Sequence, residues 1–219
     1  MTPQKEYLTI GARIRGRLFP RALGLAALFS GAALVTYIVA GVSLRYALLF
    51  TSGLVAFAVF SVWRRTSQAQ RAQVLRHIKV GLASGLLATL AYDIAKYTLS
   101  QWDPSPYNPF EAIRAFGLRL AGPKAPTALV LGAGGAFHFL NGISFGIAFC
   151  FFLGHRGILP GILWGLFLEL FQLSLFPGWL DIRFYQEFMQ ISALSHVVYG
   201  AVLGALCRYG LLKGAPERR

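Results

Sequence analysis

Seven polar residues stand in stretches that are otherwise apolar, and their types and spacing are those of acid–base or ligand-holding chemistry. Asp93 and Lys96, His138 and Asn141, and Glu169 and Gln172 are each three residues apart, and His196 is followed at the same interval by Tyr199. At helical pitch each pair shares one face. A charged side chain inside hydrocarbon costs roughly 2.5–3.5 kcal/mol on insertion scales, so such residues require partners or a purpose. Two carboxylates and two imidazoles can relay protons or hold a small polar solute or ion. Asp93 and Glu169 would supply charge, His138 and His196 hydrogen bonds, and Asn141 and Gln172 orientation. His138, Glu169 and His196 together would also suit a zinc or iron ion. The two histidines alone would serve as axial ligands of a haem.

Three of the four histidines open one pattern, with Gly at +4 and Gly at +8: His77-Gly81-Gly85, His138-Gly142-Gly146 and His196-Gly200-Gly204. Gly161-Gly165-Glu169 has the same form with the polar residue at the other end. Residues four apart stack on one helix face. A glycine stripe in a membrane helix lets a neighbouring backbone approach closely. The stripes therefore mark the faces along which helices pack, and the polar residues mark what those faces enclose.

The elements that must position these residues are membrane helices. Hydrophobic residues make up 56% of the 219-residue chain and charged residues 13%, against about a quarter charged in soluble domains. The mean hydropathy is +0.56. Six apolar stretches are long enough to cross roughly 30 Å of hydrocarbon, near 22–42, 46–63, 80–100, 126–153, 157–176 and 190–212. The expected fold is an all-α polytopic bundle of about six transmembrane helices. A basic segment over 1–21 precedes a single transmembrane domain over 22–213, and a tail over 214–219 follows. No room remains for a soluble catalytic domain. The first span lacks the short apolar run and small-x-small site of a cleaved signal. With spans three and five running outward and four and six inward, Asp93, His138, Glu169 and His196 fall within roughly 2–8 Å of the bilayer centre, on its outer side.

The net charge of +13 follows topology. Fifteen basic residues, among them Arg13, Arg15, Arg17, Arg21, Arg64, Arg65, Arg71, Arg76, Lys79 and Arg208, fall on one side of these spans. Five fall on the other: Arg45, Arg114, Arg119, Lys124 and Arg183. The positive-inside rule then puts both termini in the cytoplasm of a bacterial inner membrane. The basic face is read as contact with anionic lipids, not with nucleic acid.

The connections carry further expectations. Residues 64–79 are polar and free of Gly and Pro, fit to extend the neighbouring spans as helix. In the 101–125 loop, Asn108, Pro109 and Glu111 predict an N-cap, an N1 proline and a capping-box acid for one interfacial helix. Phe110, Ile113, Phe116, Gly117 and Leu120 share one face of it, opposite Glu111, Arg114 and Arg119. That helix would lie at the interface or close as a lid. Trp179, Phe184, Tyr185 and Phe188 read as a headgroup belt. Cys150 and Cys207 read as small packing residues, His77 as interfacial and His155 as solvated.

The segments 84–91 (SGLLATLA), 138–142 (HFLNG) and 195–204 (SHVVYGAVLG) resemble stretches of uncharacterised bacterial polytopic membrane proteins over about the last 140 residues. That resemblance implies no activity. The chain departs from membrane CAAX-type proteases: Glu169 has no adjacent Glu, and His138-x-x-Asn141 has the wrong spacing. Six spans with cytoplasmic termini resemble, in architecture, the substrate-binding subunits of vitamin transporters.

Four readings follow. The leading one is an intramembrane His/carboxylate layer that binds, and passes, a small polar solute or ion. The second is a metal- or haem-dependent membrane enzyme or redox subunit. The third is a structural subunit whose glycine stripes serve a partner helix or a second copy. The fourth is a layer that only fixes helix packing, with Asp93 paired to Lys96 and Glu169 hydrogen-bonded to a histidine.

Overall fold

The computed structural model describes residues 20–64, 66–104, 108–174 and 178–213. The basic segment up to residue 19 and the tail from 214 lie outside the described residues. The described residues are helical, with no strand among them. The elements are α1 (Pro20–Ala26), α2 (Phe29–Ala40), α3 (Leu44–Trp63), α4 (Gln68–Ser100), α5 (Glu111–Ala121), α6 (Thr127–Leu153), α7 (Ile158–Glu169), a π-helical turn (Leu170–Ser174) and α8 (Tyr185–Lys213).

Four helices, α3, α4, α6 and α8, are long and apolar enough to cross a membrane. The pair α1 and α2 makes a fifth if its 47° bend belongs to one span. The apolar helix Ile158–Leu173 is shorter.

Helix α4 absorbs the polar 64–79 connection and runs 33 residues, about 50 Å. Its start is fixed by a capping box: the Ser67 hydroxyl accepts from the Gln70 backbone N–H, and the Gln70 side chain accepts from the Ser67 N–H. Helix α2 stops at Gly41, whose φ of 68° lies in the left-handed region that glycine adopts without strain. The expected capping box of α5 does not form. The Asn108 side chain accepts instead from the Phe110 N–H at 2.9 Å, and the helix begins at Glu111 with no side-chain cap. Pro109 thus falls in the turn, because Asn favours closing a local loop onto the backbone two residues on.

Helices α4, α6, α7 and α8 form the packed body. α4 lies against α6 and α8, α7 against α8, and α5 against α6. α3 is peripheral, with Phe50 and Phe57 about 70% exposed, as expected for a face turned to lipid. Two apolar clusters divide the interior. One, at the α5 end, includes Leu34, Phe116, Phe137, Leu180 and Phe188. The other includes Ala88, Phe145, Phe149, Leu203 and Leu211, and holds both free cysteines, Cys150 and Cys207.

The aromatic residues of 179–188 differ in burial. Phe188 is fully buried, and Trp179, Phe184 and Tyr185 pack on the first cluster. Arg119 likewise turns inward. It donates to the Tyr37 hydroxyl, to the Ala115 carbonyl and to the Trp179 carbonyl at 2.5–3.0 Å, tying α2, α5 and the α8 connection together. A guanidinium with several donors can close a loop end that amphipathic patterning alone assigns to solvent.

Candidate functional site

The glycine stripes explain how four helices come close enough to build a site. A methyl group placed on Gly81 would lie 2.6 Å from the Ile147 Cα, one on Gly85 2.7 Å from the Gly142 carbonyl oxygen, and one on Gly146 2.6 Å from the Gly85 Cα. Gly161 and Gly165 meet Gly200, Gly204 and the His196 carbonyl in the same way. So α4 and α6 form one backbone-to-backbone antiparallel pair, and α7 and α8 form a second. The exception is Gly142, which faces the Thr89 hydroxyl.

Each pair ends in a carboxylate and an imidazole from opposite helices. His138 Nε2 lies 2.9 Å from Asp93 Oδ1 across α6 and α4. His196 Nδ1 lies 2.9 Å from Glu169 Oε2 across α8 and α7. Lys96 does not pair with Asp93: its Nζ donates to the Tyr92 hydroxyl at 3.1 Å and sits 3.9 Å from the centre of the Phe188 ring. Residues three apart share a face, but here each carboxylate is turned toward a helix that closes in over glycine, and the cross-helix partner wins.

The two pairs are joined. Tyr92 and Ser192 oxygens are 3.0 Å apart, and Ser192 donates to Glu169 Oε2 at 3.0 Å. Because Lys96 can only donate and the Glu169 carboxylate only accepts, the chain has one direction: Lys96 to Tyr92 to Ser192 to Glu169. The Tyr92 ring lies between both imidazoles, 5.9 Å from His138 and 4.8 Å from His196, centre to centre.

The tautomers follow from the same logic. His196 Nδ1 is 2.9 Å from the Ser192 carbonyl as well as from Glu169, so it carries the proton, and Nε2 is an acceptor in the neutral ring. His138 Nε2 donates to Asp93, which leaves Nδ1 as its acceptor. Two further acceptors, Asn141 Oδ1 and Glu169 Oε1, are buried with no hydrogen-bond partner. An unmet buried polar atom costs about 1–3 kcal/mol.

These groups surround a cavity of about 90 Å³. Asp93, Lys96, His138, Asn141, Gln172 and His196 line it, as do Tyr92, Ser192 and Tyr199. Glu169, the seventh residue singled out from the sequence, is off the wall and reaches it through Ser192 and His196. Phe110 at the start of α5, Ile113 and Phe116 within it, and Trp179 and Leu180 complete the lining. Beyond Phe145, the packed cluster around Phe149, Leu203 and Cys207 follows. The π turn after Glu169 has its carbonyls met by the roof: Trp179 Nε1 donates to the Gln172 oxygen at 2.8 Å, and the Tyr185 hydroxyl donates to the Leu173 oxygen.

His138, Glu169 and His196 do not gather as a three-donor set. Among the described residues, no three His, Cys, Asp or Glu side chains are placed to hold a metal ion. His77 stands apart, its ring stacked on Phe151 at 5.2 Å with the exposed His155 6.1 Å away.

Sequence reasoning missed Thr89, Tyr92 and Ser192. Thr89 and Ser192 were within reach of the stripe logic, and Tyr92 lies one turn before Lys96. Ser192-His196-Gly200-Gly204 is one four-residue series, and Gly81-Gly85-Thr89-Asp93 is another. No family model, curated protein or solved structure matches the chain.

Proposed function

We propose that the chain is a bacterial inner-membrane protein whose His/carboxylate layer binds a small polar ligand within the bilayer. The six-span arrangement counts the bent α1–α2 pair and the short α7 as spans, alongside the four long helices. The basic excess then assigns the α5 end to the outer face and both termini to the cytoplasm.

One observation carries the binding reading. Six of the seven polar residues line one cavity, and two buried acceptors beside it, Asn141 Oδ1 and Glu169 Oε1, lack partners within the protein. A layer that served only packing would close on itself, because an orphaned buried acceptor destabilises without return. Asp93 and Glu169 hold the imidazoles in fixed tautomers. His138 and His196 present acceptors in these tautomers, and Gln172 and Lys96 present donors. Binding is favoured over passage in this conformation, because the apolar cluster around Phe149 and Leu203 stands between the cavity and the α8 C-terminal end.

The test is thermal stability in mild detergent against a panel of polyols, amino acids, sugars, carboxylates and salts. A ligand class that raises the melting temperature by several degrees in the wild type, and not in Asn141→Leu, supports the reading. A flat response across the panel, with Asn141→Leu more stable than wild type, would point to a packing layer.

A second reading has its own observation. An imidazole held by a carboxylate through one nitrogen is the arrangement that orients metal-ligating histidine. Metal analysis of protein purified without chelator decides it: near-stoichiometric metal lost in both His138→Ala and His196→Ala would favour a metal centre completed by exogenous ligands.

A further inference from the structure

The polar cavity has an apolar neighbour. A cleft of about 260 Å³ runs between α2 and the α7 end, lined by Leu28, Val35 and Ile38 on one side and by Phe167 and Phe171 on the other. Phe145, Leu168 and Gln172 line both the cleft and the polar cavity. The two spaces therefore adjoin at these three side chains, and a molecule that displaced one of them would have a polar part among the histidines and an apolar part between helices. Phe167 is 55% exposed and Leu170 52%, so the cleft borders the outer surface of the bundle.

The chemistry of the head follows from what the cavity leaves unmet. In the neutral tautomers set above, His138 Nδ1 and His196 Nε2 both accept, so the head must donate hydrogen bonds. A cationic head would meet Lys96 and an anionic head would meet Asp93, both on the wall. A neutral hydroxylated head avoids both conflicts. A cavity of about 90 Å³ holds about three waters at roughly 30 Å³ each, so the head can be no larger than a small polyol such as glycerol.

We propose that the ligand is a single-chain amphiphile: a neutral, hydroxylated head of about glycerol size in the polar cavity, with its hydrocarbon chain in the α2/α7 cleft. This rests on the binding reading above and narrows it to a membrane-borne substrate class. A ligand of this kind would arrive sideways from the lipid, without crossing the roof formed by α5 and the Trp179 connection.

The experiment uses the full chain in lipid nanodiscs and a 1-O-alkylglycerol carrying a diazirine midway along its chain. After photolysis, mass spectrometry maps the labelled residues. Saturable labelling is expected within 28–38 and 167–171. Capping both hydroxyls as methyl ethers should reduce it at least tenfold, as should Asn141→Leu. Ala32→Trp, which fills the cleft from an exposed position on its wall, should abolish cleft labelling. The same variant should keep the melting-temperature rise given by short-chain 1-O-butylglycerol.

Equal labelling by the alcohol and its dimethyl ether would overturn the proposal, since the cleft would then hold bulk lipid chains. That comparison needs no variant to fold. Stabilisation by 1-O-butylglycerol without cleft labelling by the long-chain probe would leave the polar cavity as a binding site and defeat only the assignment of the chain. Failure of both probes, with another solute class raising the melting temperature, would defeat the hydroxylated head and keep the cavity.

Discussion

The α4/α6 pair and the α7/α8 pair are two versions of one device, and they differ at one level. In both, antiparallel helices meet backbone to backbone over glycines, and a carboxylate faces an imidazole where the stripe ends. On α7 the carboxylate comes one turn after the last stripe glycine, Gly165. On α4 it comes two turns after Gly85, with Thr89 between. Thr89 stands where Gly165 stands in the other pair. Its hydroxyl is bonded back to the Gly85 carbonyl at 2.8 Å and lies against Gly142. The consequence shows in the polar ends: the Asp93 and His138 side chains are 20% and 18% exposed, whereas the Glu169 side chain is 5% exposed. One pair borders the cavity with both members; the other seals its carboxylate and presents only its histidine. Near-identical packing thus yields one partly exposed and one sealed carboxylate–histidine pair.

The largest effect expected is on the backbone contact. Gly200→Leu should disrupt the α7/α8 pair, because its side chain would run into the Gly161 carbonyl and the Ile162 Cα. Overpacking costs about 1–3 kcal/mol when neighbours can move, and a backbone on backbone cannot. Size-exclusion chromatography in detergent should show loss of the folded monomer. Gly142→Ala should be milder, since the added methyl meets a side chain. Combining it with Thr89→Gly, which copies the other pair's solution, should restore much of the melting temperature.

The next effect separates the two ion pairs. Removing one partner of a buried pair costs about 3–5 kcal/mol. A double-mutant cycle of Glu169→Gln with His196→Ala should give a coupling of about 1–3 kcal/mol. The equivalent cycle on Asp93 and His138 should give less, because that pair is the more exposed. Equal couplings would remove the distinction between the sealed and the partly exposed pair.

The smallest effect tests the bridge between them. Glu169→Gln and His138→Ala should couple by about 0.5 kcal/mol, through Ser192 and Tyr92. That coupling should vanish in a Tyr92→Phe background, which removes the hydroxyl joining Lys96 to Ser192. Strict additivity in the wild-type background would mean that the two ends act independently.

The sequence made the membrane class, the glycine faces and the polar layer legible, because hydrocarbon penalises every ionisable residue and so makes each one conspicuous. It did not reveal who pairs with whom. The spacing of Asp93 and Lys96 marks a shared face, but the partner of Asp93 is set by the helix its carboxylate meets. Arg119, Trp179 and Phe188 were misplaced for a related reason. Their amphipathic character suits an interface, yet the same character lets them roof a buried cavity when a cation has ring faces and carbonyls to meet. Thr89 escaped notice because a hydroxyl is inexpensive in a helix, where the preceding turn's carbonyl satisfies it, and Tyr92 and Ser192 because their cross-helix partners show only in the folded chain.

The shortness of α7 bears on the bilayer itself. The apolar run Ile158–Leu173 has 16 residues, about 24 Å of helix against the roughly 30 Å of an average hydrocarbon layer. In the proposed six-span arrangement, lipids beside this helix would shorten or tilt their chains, and the membrane would thin along the flank that carries the α2/α7 cleft. Mismatch of this kind costs fractions of a kcal/mol per ångström, enough to make the protein favour thin bilayers over thick ones and to concentrate short-chain lipids at that flank.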